Sequence, residues 1–438
     1  MVNQSGLEWV QRTFTLEPRW TVNPDTKIVE RLARRHLELD HDAKCEVTFH
    51  AQGAFNKLYK IDSLNGTYLM RVTLPVDPHH KTSSEVATIE FIRQNTDVPV
   101  PKILAFDASN SNELGFEWIL MEMMPGAPLR SKWRRLPMST KHNLVTCVTR
   151  YQAQIFRLKF SGIGNILSRQ KGQETSRIPV IKAEVHENEP PEVVLDRIVS
   201  PIFFWGDHIF QDVPRGPFRN SYQWLHAQLT FILNDQERIL KSSEDEDELE
   251  DAENTREIAQ RLQVLLPRVF SNSQSVHEPS IIFHHDLSWQ NMLVDDAGKL
   301  TAIIDWECVS ALPLWRACQL PQFLEGRNRD EEPLRHQYGV DDPDNGDDEE
   351  SLDNEGMNSL YWVHLREYEQ TVLRRSFLRQ MEELEPSWVA ETHEGAVKAD
   401  YAMAIHQCDN EFCFKIIRKW LDSLERGESW SFRERLIE

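Results

Sequence analysis

Several features are missing from this 438-residue chain, and each absence removes a class of function. No apolar run approaches the ~18 residues that a membrane span needs, so no membrane partner is expected. The opening stretch MVNQSGLEWVQRTF has no apolar h-region of a secretory signal. Its arginines come with Glu8, Glu17 and Asp25, whereas mitochondrial transit segments are poor in acids. Cytoplasm is therefore the expected compartment, with mitochondria as the alternative. The six cysteines, Cys45, Cys147, Cys308, Cys318, Cys408 and Cys413, show neither CxxC nor zinc spacing, which predicts reduced thiols in a reducing compartment. Clustered base is also lacking. The net charge is -21, and two runs carry almost all of it: eight acids without a base in residues 244–253, and twelve acids against Arg335 in residues 330–355. A nearly neutral remainder excludes a binder of nucleic-acid backbones, which would need grouped Lys and Arg. Such runs are typically mobile and solvated, so residues 330–355 are expected to form a flexible surface loop.

What is present centres on residues 281–307, IIFHHDLSWQNMLVDDAGKLTAIIDWE. Residues 281–283, 292–294 and 300–304 are strand signals, and Asp295-Asp296-Ala297-Gly298 is turn chemistry. Pairing about that turn, centred on Gly298, sets Asn291 opposite Asp305. Asp286 lies five residues before Asn291, on the loop entering the same hairpin end. Two carboxylates and an amide oxygen converging there suit magnesium, a hard cation that takes oxygen ligands and shares them with substrate phosphates. The pattern His284-x-Asp286-x4-Asn291 followed by Asp305 is what phosphoryl transfer requires: Asp286 to accept a hydroxyl proton, Asn291 and Asp305 to hold metal. His284 is expected to shape the loop by hydrogen-bonding backbone, and His285 is given no role.

The segments HHDLSWQN and IDWE resemble the catalytic and metal loops of the aminoglycoside phosphotransferase and choline kinase family, relatives of the protein kinases. Asp305-Trp306-Glu307 replaces the Asp-Phe-Gly of protein kinases and GxGxxG is absent, which favours the small-molecule branch. The resemblance implies an α+β, two-lobed protein-kinase-like fold, with a small antiparallel-sheet N-lobe and a large, mainly helical C-lobe. It also implies ATP, with GTP as the alternative, together with Mg2+ and a small-molecule hydroxyl acceptor.

The rest of the chain is read in that frame. Residues 1–42 are expected to cap the first lobe, with a helix over 26–37. Residues 43–122 form the nucleotide-binding lobe, and residues 123–438 the helical lobe. Alternation over 45–49, 57–61 and 67–72, then apolar runs at 98–104 and 118–121, predict five strands. Between the first two lies Gln52-Gly53-Ala54-Phe55-Asn56. Gly53 is open to two readings, an ordinary hairpin glycine or a close approach to phosphate; the resemblance assigns Gly53, Phe55 and Asn56 to the nucleotide.

Arg71 stands where kinases carry a phosphate-contacting lysine, with Lys57 and Lys60 as alternatives. Its fork keeps the positive charge but not the point geometry of an ammonium. Glu85 is either its ion-pair partner or the acid of a capping box Thr82-x-x-Glu85, with Glu90 as the fallback. The resemblance places purine contacts on the backbone of Glu122 and Met124. Residues 141–158, 256–270, 357–384 and 401–427 are predicted helices. Two further readings remain open: a nucleotide-binding pseudokinase with a protein partner, for which Arg71 argues, and a protein kinase, against which the two missing motifs argue. The acceptor and the oligomeric state are not encoded legibly.

Overall fold

The computed structural model describes residues 4–12, 15–168, 178–179, 193–273, 277–339, 357–428 and 430–437. Alternating residues joined at Leu64-Asn65 build the centre of the first lobe. Strands β3 (Cys45–Gln52), β4 (Asn56–Ser63) and β5 (Gly66–Thr73) are antiparallel neighbours. With β6 (Ile103–Asp107) and β7 (Glu117–Glu122) they form a five-stranded sheet in the order β3-β4-β5-β7-β6. The period of two puts Tyr59, Ile61, Met70 and Val72 on one face, where Val29, Leu32 and Ala33 of helix α1 (Thr26–His36) cover them. Helix α2 (His80–Asn95) is buried nearly all round. Its Val86 packs on Ile119 and Met121 of the sheet, and its Phe91 meets Phe160 of the second lobe. Ahead of α1, β1 (Leu7–Gln11) and β2 (Leu16–Trp20) pair antiparallel, which the helical reading of the cap does not include.

One predicted strand moves. The apolar run at 98–104 contains Pro99 and Pro101, which cannot donate to a ladder, so β6 begins only at Ile103. The proline stretch instead runs beside the catalytic hairpin, where the Ile303 amide donates to the Pro99 carbonyl at 2.9 Å.

The second lobe opens with β8 (Ala127–Pro128), α3 (Leu129–Lys132) and α4 (Met138–Arg157). Strands β9 (Phe160–Ser161), β10 (Asn165–Ser168), β11 (Ile178–Pro179) and β12 (Val193–Asp196) lead to α5 (Pro201–Phe204) and to the long pair α6 (Ser221–Ser242) and α7 (Glu246–Val269). The acidic run at 244–253 opens α7. Asp245 caps it, accepting from the Asp247 and Glu248 amides, and acids in the first turn face the positive end of the helix dipole. Ala252, Thr255, Ile258 and Leu262 anchor the other face in the core. Most of the expected loop at 330–355 lies outside the described residues.

Four strands, β13 (Pro279–Phe283), β14 (Met292–Val294), β15 (Leu300–Ile303) and β16 (Ser310–Pro313), carry the segments that the resemblance marks as catalytic. Helices α8 (Leu314–Ala317), α9 (Ser359–Leu384), α10 (Pro386–Glu394), α11 (Ala396–His406), α12 (Phe414–Glu425) and α13 (Phe432–Ile437) complete the lobe. Among the described residues no helix is long and apolar enough to cross a membrane. A small antiparallel-sheet lobe followed by a larger helical one is the two-lobed kinase-like fold expected from the sequence.

Candidate active site

The hairpin β14–β15 is fixed from both sides. Asp295 accepts from the Ala297 and Lys299 amides, and Gly298 closes the turn at φ +78°. β14 also pairs with β8, so the segment linking the lobes is bonded directly to the catalytic hairpin. Gly126 makes this approach feasible: at φ +109°, an added Cβ would lie 2.6 Å from Thr301 Oγ1 and 2.7 Å from the Val294 carbonyl.

The register differs from the sequence reading by one residue. Met292 faces Ile303 and Leu293 faces Ala302, after which a bulge shifts Val294 to Leu300. Asn291 therefore meets Ile304, whose amide it accepts at 2.9 Å, and Asp305 lies one residue beyond. Asp305 turns sharply out of the strand at φ +64°. Asn291 donates Nδ2 to Asp286 Oδ2 at 2.7 Å and to the Asp286 carbonyl at 3.0 Å, leaving its Oδ1 for another partner. His284 is buried, hydrogen-bonds the Ile304 carbonyl at 3.0 Å and meets the Trp306 ring edge-on. Burial holds this imidazole neutral, with its pKa pushed down to about 4, so it shapes the loop without carrying charge.

The first lobe contributes a buried charge network. Arg71, 6% exposed on β5, donates Nη1 to Glu85 of α2 at 2.6 Å; its Nη2 lies 2.6 Å from Glu307 and 3.3 Å from Asp305. Helix α2 begins at His80, so Thr82 is not its cap and the capping-box alternative for Glu85 falls away. Glu307 and Lys81 escaped the sequence reading, although both sit beside residues it singled out. Lys81, 1% exposed in the first turn of α2, pairs with Glu307. Glu307 also accepts from Asn56 Nδ2 at 2.8 Å. An acid two residues after the metal-loop aspartate was the available signal for Glu307; a lysine four residues before Glu85, on the same helix face, was the signal for Lys81.

Burial opposes the charge on all these groups, and the pairings decide the outcome. Lys81 and Arg71 hold the Glu307 carboxyl well below its ordinary range against the cost of burial. Burial raises the Asp305 carboxyl, with Arg71 opposing and the Glu307 and Asp286 charges adding to the rise. Burial raises Glu85 too, against Arg71 and Lys81. Arg71 stays a cation because three carboxylates outweigh its desolvation.

The remaining predicted contacts are distributed unevenly. Gly53 lacks a positive φ, and nothing lies within 4 Å of the Cβ it does not have. The Phe55 ring, placed among the nucleotide contacts by the resemblance, packs against Phe204 and Trp205, with Lys81 Nζ 5.8 Å from its centre. Asn56 is committed internally, to Glu307, Thr73 and Lys81. Lys57 pairs with Asn23 and Lys60 with Asp62, so neither joins Arg71. Glu90 pairs with Arg93 on its own helix. The Glu122 amide is taken by the Lys102 carbonyl at 3.0 Å, whereas no backbone hydrogen bond among the described residues uses the Met124 amide.

This assembly can be compared with known proteins. The sequence profile of the phosphotransferase enzyme family, APH, matches residues 46–315, more than half of the chain. The chain belongs to that family. A subtelomeric hrmA-associated cluster protein of Aspergillus fumigatus is 26% identical over 313 residues, which are 62% of this chain and 59% of that protein. Altered inheritance of mitochondria protein 9, mitochondrial, of Saccharomyces cerevisiae is 22% identical over 350 residues, 70% of this chain and 55% of that protein. The chain thus spans less than two thirds of the length of these relatives. A streptomycin–ATP ternary complex of APH(2")-IIa is 11% identical with a TM-score of 0.43, covering 93% of this chain and 98% of that one.

The mitochondrial designation of the yeast relatives overturns the cytoplasmic expectation. That inference treated the acids near the N-terminus as evidence about an address. Glu8 and Glu17 are exposed on the paired strands β1 and β2 and Asp25 caps α1, so these acids belong to folded elements.

Proposed function

We propose that this family member binds a magnesium–nucleotide in the cleft between its lobes, acts in mitochondria, and works chiefly as a kinase-like regulatory module on a protein partner. The supporting observation is the Arg71 network. The one cation expected to meet phosphate is already engaged by Glu85, Asp305 and Glu307, and Lys81 is bound to Glu307 as well. A triphosphate must compete with carboxylates for both cations, so its binding would rearrange the contacts that join α2, the sheet and the metal loop, as a switch requires. Asn291 Oδ1 and Asp305 are the hard oxygen donors that fit magnesium, and that ion would neutralise phosphate charge there. The Met124 amide on the linker is the donor available to a purine, ATP first and GTP as the alternative.

A second reading, transfer of the terminal phosphoryl group to a small-molecule hydroxyl, has its own observation. Asp286 is fixed through one oxygen by Asn291, at 2.7 Å, which leaves the other to accept a hydroxyl proton. Positioned proton acceptance contributes about 10²–10⁴ in rate. Orientation of the two reactants adds to this.

One pair of measurements separates the readings. Melting is followed with Mg·ATP and Mg·GTP, and phosphate transfer is assayed over a panel of alcohols for wild type and Asp286→Ala. The regulatory reading expects a nucleotide-dependent rise in melting temperature and wild-type transfer no greater than that of the variant. Transfer that disappears in Asp286→Ala establishes the second reading. An unchanged melting temperature at saturating nucleotide refutes both.

A further inference from the structure

A cavity of about 820 Å³ lies beside the catalytic loop, and none of its lining residues belongs to the Arg71 network. Its walls carry Trp133, Trp289 and Trp362 together with Arg130, Arg134 and Arg366. Trp133 and Trp289 lie with ring centroids 4.5 Å apart and planes 32° apart. The Arg134 guanidinium sits 4.7 Å from the Trp362 ring, and that of Arg366 sits 5.8 Å from Trp289. A cation–π contact of this kind leaves the N–H donors of Arg366 available to a further partner.

The charge of the lining is one-sided. Its single acid, Glu369, is spent on both oxygens, one bonded to Lys141 Nζ at 2.5 Å and the other to Trp133 Nε1 at 2.8 Å. Among the described residues neither Arg130 nor Arg366 pairs with a carboxylate. Two guanidinium groups of the lining, those of Arg130 and Arg366, are thus without a carboxylate among the described residues. The volume falls within the range of pockets for small molecules, about 300–1,000 Å³, and aromatic walls with a few placed charges are how such pockets select.

We propose that this cavity binds a small anion carrying a flat ring, of the aryl carboxylate or aryl phosphate type. The ring packs among the tryptophans, and the anion takes charge-assisted hydrogen bonds from Arg130 and Arg366. An amine of the same shape is repelled by the same arginines. Ser288, Trp289 and Gln290, between Asp286 and Asn291, are part of the wall, so an occupant touches the catalytic loop itself. The inference stands independently of whether the cleft transfers phosphate.

Phenyl phosphate, benzoate and benzylamine are the probes, titrated into the full chain while tryptophan fluorescence is read, with and without Mg·ADP. Phenyl phosphate and benzoate are expected to quench at concentrations at least about tenfold below benzylamine, with or without Mg·ADP. The double variant Arg130→Gln/Arg366→Gln should lose that preference at an unchanged melting temperature. Arg366→Lys, which keeps charge but not the fork, should show an intermediate loss and serves if the double variant does not fold. Equal binding of benzylamine overturns the proposal, as does wild-type affinity in the arginine variants. Displacement of phenyl phosphate by Mg·ADP with no response to the arginine variants assigns the probe to the nucleotide cleft and overturns it too.

Discussion

Replacing Glu307 by alanine tests the electrostatic account of the cleft most directly. The carboxylate serves Arg71 Nη2 at 2.6 Å, Asn56 Nδ2 at 2.8 Å and Lys81 Nζ, in a place where Lys81 is 1% and Arg71 6% exposed. Removing one partner from a buried ion pair costs about 3–5 kcal/mol, because the other charge is left desolvated. Arg71 keeps Glu85 and Asp305, so the loss falls mainly on Lys81 and the lower end, about 3 kcal/mol, is the expectation. Against a total stability of about 5–15 kcal/mol this is severe, and it should appear as a fall of roughly 3 °C in melting temperature. Saturating Mg·ATP should restore part of the loss, since phosphate supplies the missing anion. Adding Lys81→Met should also recover stability, because the orphaned charge is gone.

The pH dependence carries a definite sign. The folded-state carboxyl of Glu307 is held below the unfolded value of about 4.3, so the unfolded chain binds the extra proton as pH falls. The contribution of Glu307 is fully present above about pH 4.3 and is lost below it; Glu307→Ala should remove that part of the acid sensitivity. A variant within about 1 kcal/mol of wild type by urea unfolding would refute the reasoning, showing that Lys81 and Arg71 are satisfied by solvent.

Three other outcomes are expected. Gly126→Ala forces a Cβ to 2.6 Å from Thr301 Oγ1 at an unfavourable φ, and should cost about 1–3 kcal/mol in thermal unfolding, with nucleotide affinity falling as the linker shifts. Lys159 lacks a hydrogen-bond partner over the Phe156 ring, and burial pushes its pKa down to about 8. Lys159→Met should therefore stabilise the chain by about 1 kcal/mol at pH 7. In calorimetry that advantage should shrink above pH 8, where the wild-type ammonium of the folded state gives up its proton while the unfolded chain still holds its own. Asp286→Ala should keep the melting temperature and nucleotide response of wild type, since Asp286 takes part in no buried ion pair, and equilibrium dialysis with labelled nucleotide checks this.

Local chemistry was sufficient wherever a short stretch sets its own geometry. Period-two alternation gave β3, β4 and β5, the Asp295–Gly298 turn gave the catalytic hairpin, and the spacing from His284 to Asn291 gave a loop whose members touch. Pairing across one turn is a matter of a few residues, so it is legible in one dimension. Even there the sequence misjudged the register by one, because the bulge at Val294 belongs to the packing of β14 against β15 and β8. At residues 244–253 a run of acids suits both a solvated face and a capped helix start, and the apolar residues of α7 that meet the core hold it as helix.

Only the tertiary structure decided what Arg71 does. Its partners stand 14, 234 and 236 residues away, on another helix and on the metal loop. No local pattern encodes which distant charges will share one buried volume, and the same holds for the arginines and tryptophans gathered between α3, α4 and α9. Spacing along the chain named candidate groups for phosphate; folding fixed which of them are already neutralised, because the energy of a charge is set by its neighbours in space and by the water they exclude.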